Sequence, residues 1–410
     1  MFERQQHRDV LVMTLLMVTQ TVGWGTGFSL LGVLAVPIGA DLSISAGYVY
    51  GGVTIMFLVG AAAAPLAGQL ADRYGGVKLL APGSVGFGLA LCALGWAQDI
   101  FTYYLAWAAF GMAMHFGLAT SAYSAIAGFG MRRPERGIAI LTLATGMSST
   151  VFWPVSSLLV SFLDWRQVCF VYAVLVVAVG GGGHMLVAHL GRGRTRPVRP
   201  DAAHEIAPNR AGVVPAGLEG NAFWLLAVAM TLTGAVGTSM ALLLIDVFGA
   251  LGVDRVDAVF AASLLGLVYL ASRGIDVALG GRIDPLKLAL GVFVALPLSL
   301  TPLLVLSVLG VAVPVWVAIG STILYGLPAG LLGILQPTIP LHLFGSSHYG
   351  RYLGRMARPL DLANALSPTI FAVFLPLSGA AVLAFAIALS VLALVAWLAM
   401  IRLATSAARH

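Results

Sequence analysis

Long apolar runs recur along this chain with only short polar interruptions, and nothing else constrains its fold as strongly. One run reads GGVTIMFLVGAAAAPLA over residues 51–67. After GQLADRYGG the chain returns to apolar character with VKLLAPGSVGFGLALCALGW, which ends at Trp96. Of the 410 residues, 60% are hydrophobic and only 9% are charged, whereas soluble domains carry about a quarter charged residues. No water-soluble core could hide that much apolar surface, so the solvent for most of the chain is lipid. Inside lipid every backbone N–H and C=O must find its partner within the protein, which leaves helices or a closed barrel. The runs are apolar on both faces and lack ten-residue alternation, so the expected fold is all-α.

A spanning helix needs about 20 apolar residues. Polar breaks delimit twelve such stretches, at 9–36, 46–70, 77–98, 100–128, 137–161, 166–189, 220–247, 257–280, 286–309, 313–343, 355–376 and 380–403. The first follows MFERQQHRDV and is too long for a signal peptide, so it reads as an uncleaved span. Of the 22 Lys and Arg residues, all but Arg166, Arg255 and Arg273 lie in the two tails or in connections after even-numbered spans. The positive-inside rule then places both termini in the cytoplasm. The net charge of +6 therefore reports topology. Scattered over short loops without aromatic interleaving, it implies no nucleic-acid partner. Cys92 and Cys169 fall inside apolar spans, where small buried packing residues are expected.

The longest polar stretch, GRGRTRPVRPDAAHEIAPNRAGVVPAGLEG, holds four prolines and five arginines and almost no large apolar side chains. It reads as a flexible cytoplasmic linker at 191–219, between an N-terminal six-helix bundle at 1–190 and a C-terminal one at 220–410. A shift of 209 positions sets Arg73 on Arg282, Lys78 on Lys287 and Leu79 on Leu288. Such local echoes, at equivalent places in two six-span halves, point to internal duplication, which is common among secondary transporters.

The connection GQLADRYGGVKLL interrupts the apolar pattern between spans 2 and 3. Its glycines permit a tight turn and close helix approach. Its spacing, Gly68-x-Leu70-Ala71-Asp72-Arg73-x-Gly75, resembles the loop signature G-x-L-a-D-r-x-G-r-k of the major facilitator superfamily, at the same place in a twelve-span chain with a long central loop. Gly76 and Val77 replace the usual basic pair, and Lys78 comes one position late. The resemblance implies a cytoplasmic gate. In it Asp72 docks across the interface between halves near span 11, Arg73 organises it, and Gly68, Gly75, Lys78, Arg282 and Asp361 belong to the same gating set. A narrower likeness is to the monocarboxylate-transporter branch, through Gly23-Trp24-Gly25 in TVGWGTG, through Arg132, Arg133 and Gly137-Ile138-Ala139 before span 5, and through DWR at 164–166. Thr21 and Thr26 stand where that branch has an acid and a second tryptophan, so the substrate is not inherited with the motif.

Ionisable groups within a bilayer are costly and mark function. Arg273 lies in span 8, about 10 Å from its cytoplasmic end, with Asp276 three residues on. This pair could bind an anionic solute or be a snorkelling arginine neutralised by its neighbour. The monocarboxylate-like branch uses an Arg in this helix, but its acid precedes the Arg. His115 falls near the middle of span 4, in FGMAMHFGLATSAY. In the superfamily, spans 1, 4, 7 and 10 line the central cavity, so His115 could bind solute or take a proton, or be a neutral imidazole bonded within the bundle. Gln20 and Trp24 in span 1, Ser321 and Tyr325 in span 10, and Thr231 and Thr238 in span 7 form further polar or aromatic pairs, as cavity lining or as helix–helix glue. Arg358 and Asp361 are spaced for a local pair at the start of span 11 beside Asn364.

A P-loop and an HExxH motif are both missing from the sequence, so ATP-driven transport, metal chemistry and a cofactor are not expected. Span 5 lacks the G-x-x-x-G-P pattern of many drug/proton antiporters in the superfamily. The reading is a multi-pass secondary transporter, not an enzyme, sited in the bacterial cytoplasmic membrane. It moves a small organic solute by alternating access, with protons as the coupling ion and a carboxylate-bearing solute favoured. The resemblance implies a monomer. An exporter of another small metabolite or toxicant is the alternative, and a solute sensor without flux is the alternative of another class.

Overall fold

The computed structural model describes residues 2–129, 134–191, 219–279, 284–344 and 349–406. Every element among them is helical. The chain divides into two compact units, Met1–Ala203 and His204–His410. Residues 192–218, which hold most of the expected linker, lie outside the described residues.

In the first unit, α1 (Phe2–Thr26) and α2 (Leu31–Leu42) are separated by a 3-10 turn at Phe28–Leu30; taken together they are long and apolar enough to cross a membrane, with a bend of 43° between them. Then come α3 (Ala46–Tyr74) and α4 (Gly76–Gly95). The fourth expected span is two helices, α5 (Ile100–Gly117) and α6 (Ala119–Gly128), broken at Leu118. The fifth is α7 (Pro134–Gly146) with α8 (Ser148–Val160), broken at Met147. The sixth is α9 (Trp165–Leu175) and α10 (Gly182–Leu190), joined without a break by a π-helical segment at Val176–Gly181. The second unit is more regular, with α11 (Glu219–Ala250), α12 (Arg255–Leu279), α13 (Pro285–Val308), α14 (Val315–Phe344), α15 (Tyr349–Phe374) and α16 (Gly379–Ser406).

Sequence-local signals start several of these helices. Asp99 caps α5 by accepting from the Thr102 N–H at 2.8 Å, while Thr102 Oγ1 accepts from the Asp99 N–H at 3.2 Å. Asp164 and Gln167 make the same reciprocal box at the start of α9. Asp284 caps α13, with Pro285 at the first helical position where its missing N–H costs nothing.

Nine helices among the described residues are long and apolar enough to cross a membrane, or ten with the bent α1–α2 pair. Two of the twelve expected spans are not among them. The span at 100–128 is divided at Leu118, and α15 carries Arg355, Arg358, Asp361, Pro359 and Pro368 in its length.

Packing inside the two units follows one plan. In the first, α4 packs on α5, α3 on α5, α4 on α9, and α1 on both α7–α8 and α10. In the second, α13 packs on α14, α12 on α14, α13 on α16, and α11 on both α15 and α16. Numbered as spans within each half, these are the same five pairings, which is what an internal duplication requires. One end of the first unit is held by a polar knot. Arg166 pairs with Asp41, donates to the Ala97 carbonyl at 2.8 Å and stacks on Trp165, whose indole N–H also reaches Asp41 at 3.2 Å. The DWR sequence thus ties the ends of α2, α4 and α9 together.

Candidate functional site

The GQLADRYGG connection is shorter than its sequence suggests. Helix α3 runs on to Tyr74, and Gly75 alone separates it from α4, its N–H bonded to the Ala71 carbonyl at 2.8 Å. Gly75 sits at φ +86 and ψ 134, a region that side chains other than glycine rarely enter. Gly76 packs directly on α6, where an added β-carbon would collide with the Ser121 carbonyl oxygen and lie 2.7 Å from the Ala125 nitrogen. Arg73 and Lys78 are exposed, and the Arg73 guanidinium lies 5.3 Å from the Tyr74 ring centre. Nothing lies within 4 Å of a β-carbon placed at Gly68. The side chains of Asp72 and Asp276, and all of Arg282, lie outside the described residues. Asp361 and Arg358 are both exposed on α15, and no ion pair joins them. Asn364, one turn further, instead accepts from Thr238 Oγ1 of α11 at 3.1 Å.

In the second unit, Arg273 occupies the seam between α12 and α14. Its Nε donates to the Gly330 carbonyl at 3.3 Å. A β-carbon at Gly333 would lie 2.7 Å from its Nη2, so the guanidinium rests in a gap that glycine leaves open. Tyr269 is one turn earlier on the same helix and electrostatically coupled to Arg273, and Tyr325 faces it from α14. Tyr325 is only 1% exposed. Its hydroxyl approaches that of Tyr269 without a well-formed hydrogen bond and has no other partner. The sequence named Arg273 and Tyr325 but missed Tyr269, although its i, i+4 relation to Arg273 was available.

In the first unit the polar side chains gather around the broken fourth span. The break at Leu118 frees carbonyls that a continuous helix would pair, and side chains take them up. Ser121 Oγ donates to the His115 carbonyl at 3.0 Å, and Gln20 Nε2 donates to the Gly117 carbonyl at 2.9 Å. Gln20 is fully buried, so its amide works inside the unit. Its Nε2 also faces His184 Nε2 at 3.5 Å, and His184 Nδ1 meets Ser84 Oγ at 2.9 Å. Ser84 Oγ also reaches the Leu80 carbonyl at 3.1 Å, so a neutral imidazole that donates through Nδ1 to Ser84 and accepts at Nε2 from Gln20 would satisfy all three side chains. His184, 1% exposed, was not singled out from the sequence. Its signal was a histidine directly after four glycines inside an apolar span. The π-helical turn at Val176–Gly181 shifts the register ahead of it, and such turns often accompany function.

His115 itself is half-buried, its ring against α3, where a β-carbon at Gly60 would lie 3.1 Å from Nε2. Trp24 stacks edge-on against Phe28 at 6.0 Å, and Phe28 against Phe57 of α3 at the same distance. The glycines of TVGWGTG serve packing, since Gly23 faces Leu118 and Gly25 faces the Phe152 ring. Cys92 and Cys169 are free thiols, Cys169 buried. No group of three or more His, Cys, Asp or Glu among the described residues could hold a metal ion.

A helical membrane chain of two units with one pairing plan, and a glycine–acid–basic loop between spans 2 and 3, suits one large transporter family. The sequence matches the model of the Major Facilitator Superfamily over residues 16–368. The chain belongs to that superfamily. It is an integral multi-pass membrane protein and a transporter of small solutes, not an enzyme. Among solved structures, a point mutant of the peptide transporter POT matches with a TM-score of 0.75 at 15% identity, over 98% of this chain and 99% of that one. POT in complex with sulfate matches at 0.73 and 16% identity, over 96% and 94%. The mutant in complex with alafosfalin matches at 0.70 and 16% identity, over 98% of each chain. At such identities the likeness is one of fold. No curated protein matches the sequence.

Proposed function

We propose that this facilitator-family protein is a proton-coupled secondary transporter of a small carboxylate-bearing solute, working by alternating access. The observation that carries the reading is Arg273. A guanidinium set into an apolar helix is expensive. Here Gly333 of α14 leaves a gap for it, and Tyr269 lies one turn earlier on its own helix, close to Tyr325. Packing gives no reason to keep a cation there, whereas a guanidinium fork suits a carboxylate. Asp276, on the next turn, is assigned the control of its charge state. His115 and the Trp24 face are assigned to solute or proton handling from the first unit, with Gln20 and Tyr325 supporting the helices that carry them.

The wider reading keeps twelve spans in two six-helix domains, 1–190 and 220–410, joined by a cytoplasmic linker at 191–219. Both termini are cytoplasmic, the protein is a monomer without nucleic-acid partners, and the membrane is the bacterial cytoplasmic membrane. The loop of Gly68, Asp72, Arg73, Gly75 and Lys78, with Arg282 and Asp361, forms the gate. The solved neighbours are named as peptide transporters, and a peptide ends in a carboxylate, so short peptides join the substrate panel.

The test is flux into proteoliposomes of monocarboxylates, dicarboxylates and di- and tripeptides, with and without an inward proton gradient. Gradient-stimulated uptake that is lost in a folded Arg273→Ala protein is the expected result. Uptake of a carboxylate that survives Arg273→Ala would remove Arg273 from recognition. Binding without flux for every member would favour a sensor.

A further inference from the structure

A groove of about 490 Å³ runs along the outside of the first unit between α4 and α5. Its walls are apolar and mostly small, with Leu79, Pro82, Gly86 and Leu89 on α4 and Ala109 and Met112 on α5. Leu89 is 65% exposed and Met112 49%. On these helices the surrounding medium is lipid, so the groove is filled by something apolar from the bilayer. The α4 wall is a helical stripe, since residues 82, 86 and 89 follow one another at four- and three-residue steps on one face. One further step back along that stripe, at the end of α4 that adjoins the loop, is Lys78, which is exposed. From Leu79 to Leu89 the groove is about 15 Å long, ten helical rises, or half the thickness of the hydrocarbon core. It therefore extends over about half the thickness of a hydrocarbon core from the end of α4 where Lys78 is exposed.

We infer that this groove holds one acyl chain of an anionic phospholipid whose phosphate pairs with Lys78. Both ends of the site agree on that occupant. The wall is apolar and suits an acyl chain, and beside its loop-side end α4 presents the exposed positive charge of Lys78. Contact with lipid-like walls brings no hydrophobic gain over bulk lipid, so residence rests on shape and dispersion in the groove. Preference among lipids rests on the headgroup. A lysine near an anionic headgroup is worth roughly a fivefold preference. The site also gives Lys78 a role in the one place where the loop departs from the family spacing. A lipid seated there bridges the gating connection and the α4–α5 pair.

Native mass spectrometry of the detergent-purified full chain tests the assignment, using phosphatidylglycerol and phosphatidylcholine with identical acyl chains as probes. The wild type is expected to retain one phosphatidylglycerol about fivefold more often than one phosphatidylcholine, and Lys78→Gln should bring the two to parity. Gly86→Leu should lower retention of both. A β-carbon at Gly86 meets only Ala113 Cβ, at an ordinary 3.5 Å, so the longer side chain is directed into the groove without disturbing helix contacts. Ala109→Leu, on the opposite wall, provides the same test if Gly86→Leu does not fold. Equal retention of the two lipids by the wild type, or a preference that survives Lys78→Gln, would overturn the headgroup assignment. Undiminished retention in folded Gly86→Leu and Ala109→Leu proteins would overturn the groove.

Discussion

Gly68, Gly75 and Gly76, at and near the junction of α3 and α4, look alike in the sequence, but the structure predicts one gain and two losses of different origin on replacing each with alanine. Gly68 lies inside α3 with open space where its β-carbon would stand. Gly68→Ala should stabilise the helix by roughly 1 kcal/mol, the difference in helix propensity. Gly75 also has open space, but its φ of +86 makes alanine strained whatever the room, at a cost of about 1–3 kcal/mol. With ψ at 134 the residue is outside the left-handed helical well that asparagine tolerates, so Gly75→Asn should be no better than Gly75→Ala. Gly76 has an ordinary backbone but abuts α6, with its added carbon 2.7 Å from the Ala125 nitrogen and 2.8 Å from Ser124 Cβ. Helix backbone cannot swing aside as a side chain can, so Gly76→Ala should cost about 1–3 kcal/mol through displacement of α4. The spread between Gly68→Ala and the other two is then about 2–4 kcal/mol from the same terms. Thermal melting of the purified variants, followed by size-exclusion recovery, reads the order. If Gly68→Ala melts as low as Gly76→Ala, or Gly75→Asn restores what Gly75→Ala loses, the backbone reasoning is wrong.

Other perturbations separate recognition from architecture. Gly333→Ala meets only the tip of the flexible Arg273 side chain, 2.7 Å away. It should leave melting nearly unchanged while raising KM for a carboxylate solute, and an unchanged KM would detach the glycine gap from recognition. Gln20→Leu leaves the Gly117 carbonyl without its side-chain donor, a loss of about 1–3 kcal/mol, reduced because Gln20 Oε1 already lacks a partner. Lower melting with KM intact is expected, and a KM effect without a melting effect would move Gln20 from the interior to the solute path. Asp72→Asn should slow turnover more than it weakens solute binding, as a gate contact does. Equal turnover in exchange and net-flux assays would remove Asp72 from the cycle.

How much of this was legible in the sequence depended on whether a feature is periodic or contextual. Helical class and membrane residence followed from composition and the length of apolar runs, because lipid leaves the backbone few solutions. The breaks were not legible. Nothing in FGMAMHFGLATSAY marks Leu118 as the point where the fourth span divides, because the carbonyls freed there are repaired by Ser121 nearby and by Gln20 nearly a hundred positions earlier. The packing role of the TVGWGTG glycines was hidden in the same way, since the rings and methyls they admit come from other helices. His184 was passed over because its neighbours in sequence are glycines and its partners, Ser84 and Gln20, come from two other spans.

Two seams, one in each unit, set an ionisable side chain against glycine and show what duplication adds. In the first unit the seam joins spans 2 and 4, with His115 on span 4 facing Gly60 on span 2. In the second it joins spans 8 and 10, with Arg273 on span 8 facing Gly330 and Gly333 on span 10. The scaffold is repeated, but the ionisable group and the glycine have exchanged helices. The shift of 209 that aligns Arg73 with Arg282 also sets Gly60 on Tyr269, so the position that makes room in one half carries a hydroxyl in the other. Selection for packing alone would not require that asymmetry, because either helix can supply the small residue. It follows if the shared pairing plan fixes where a polar group can be tolerated and each half places there the group its own task needs, an imidazole in one and a guanidinium in the other.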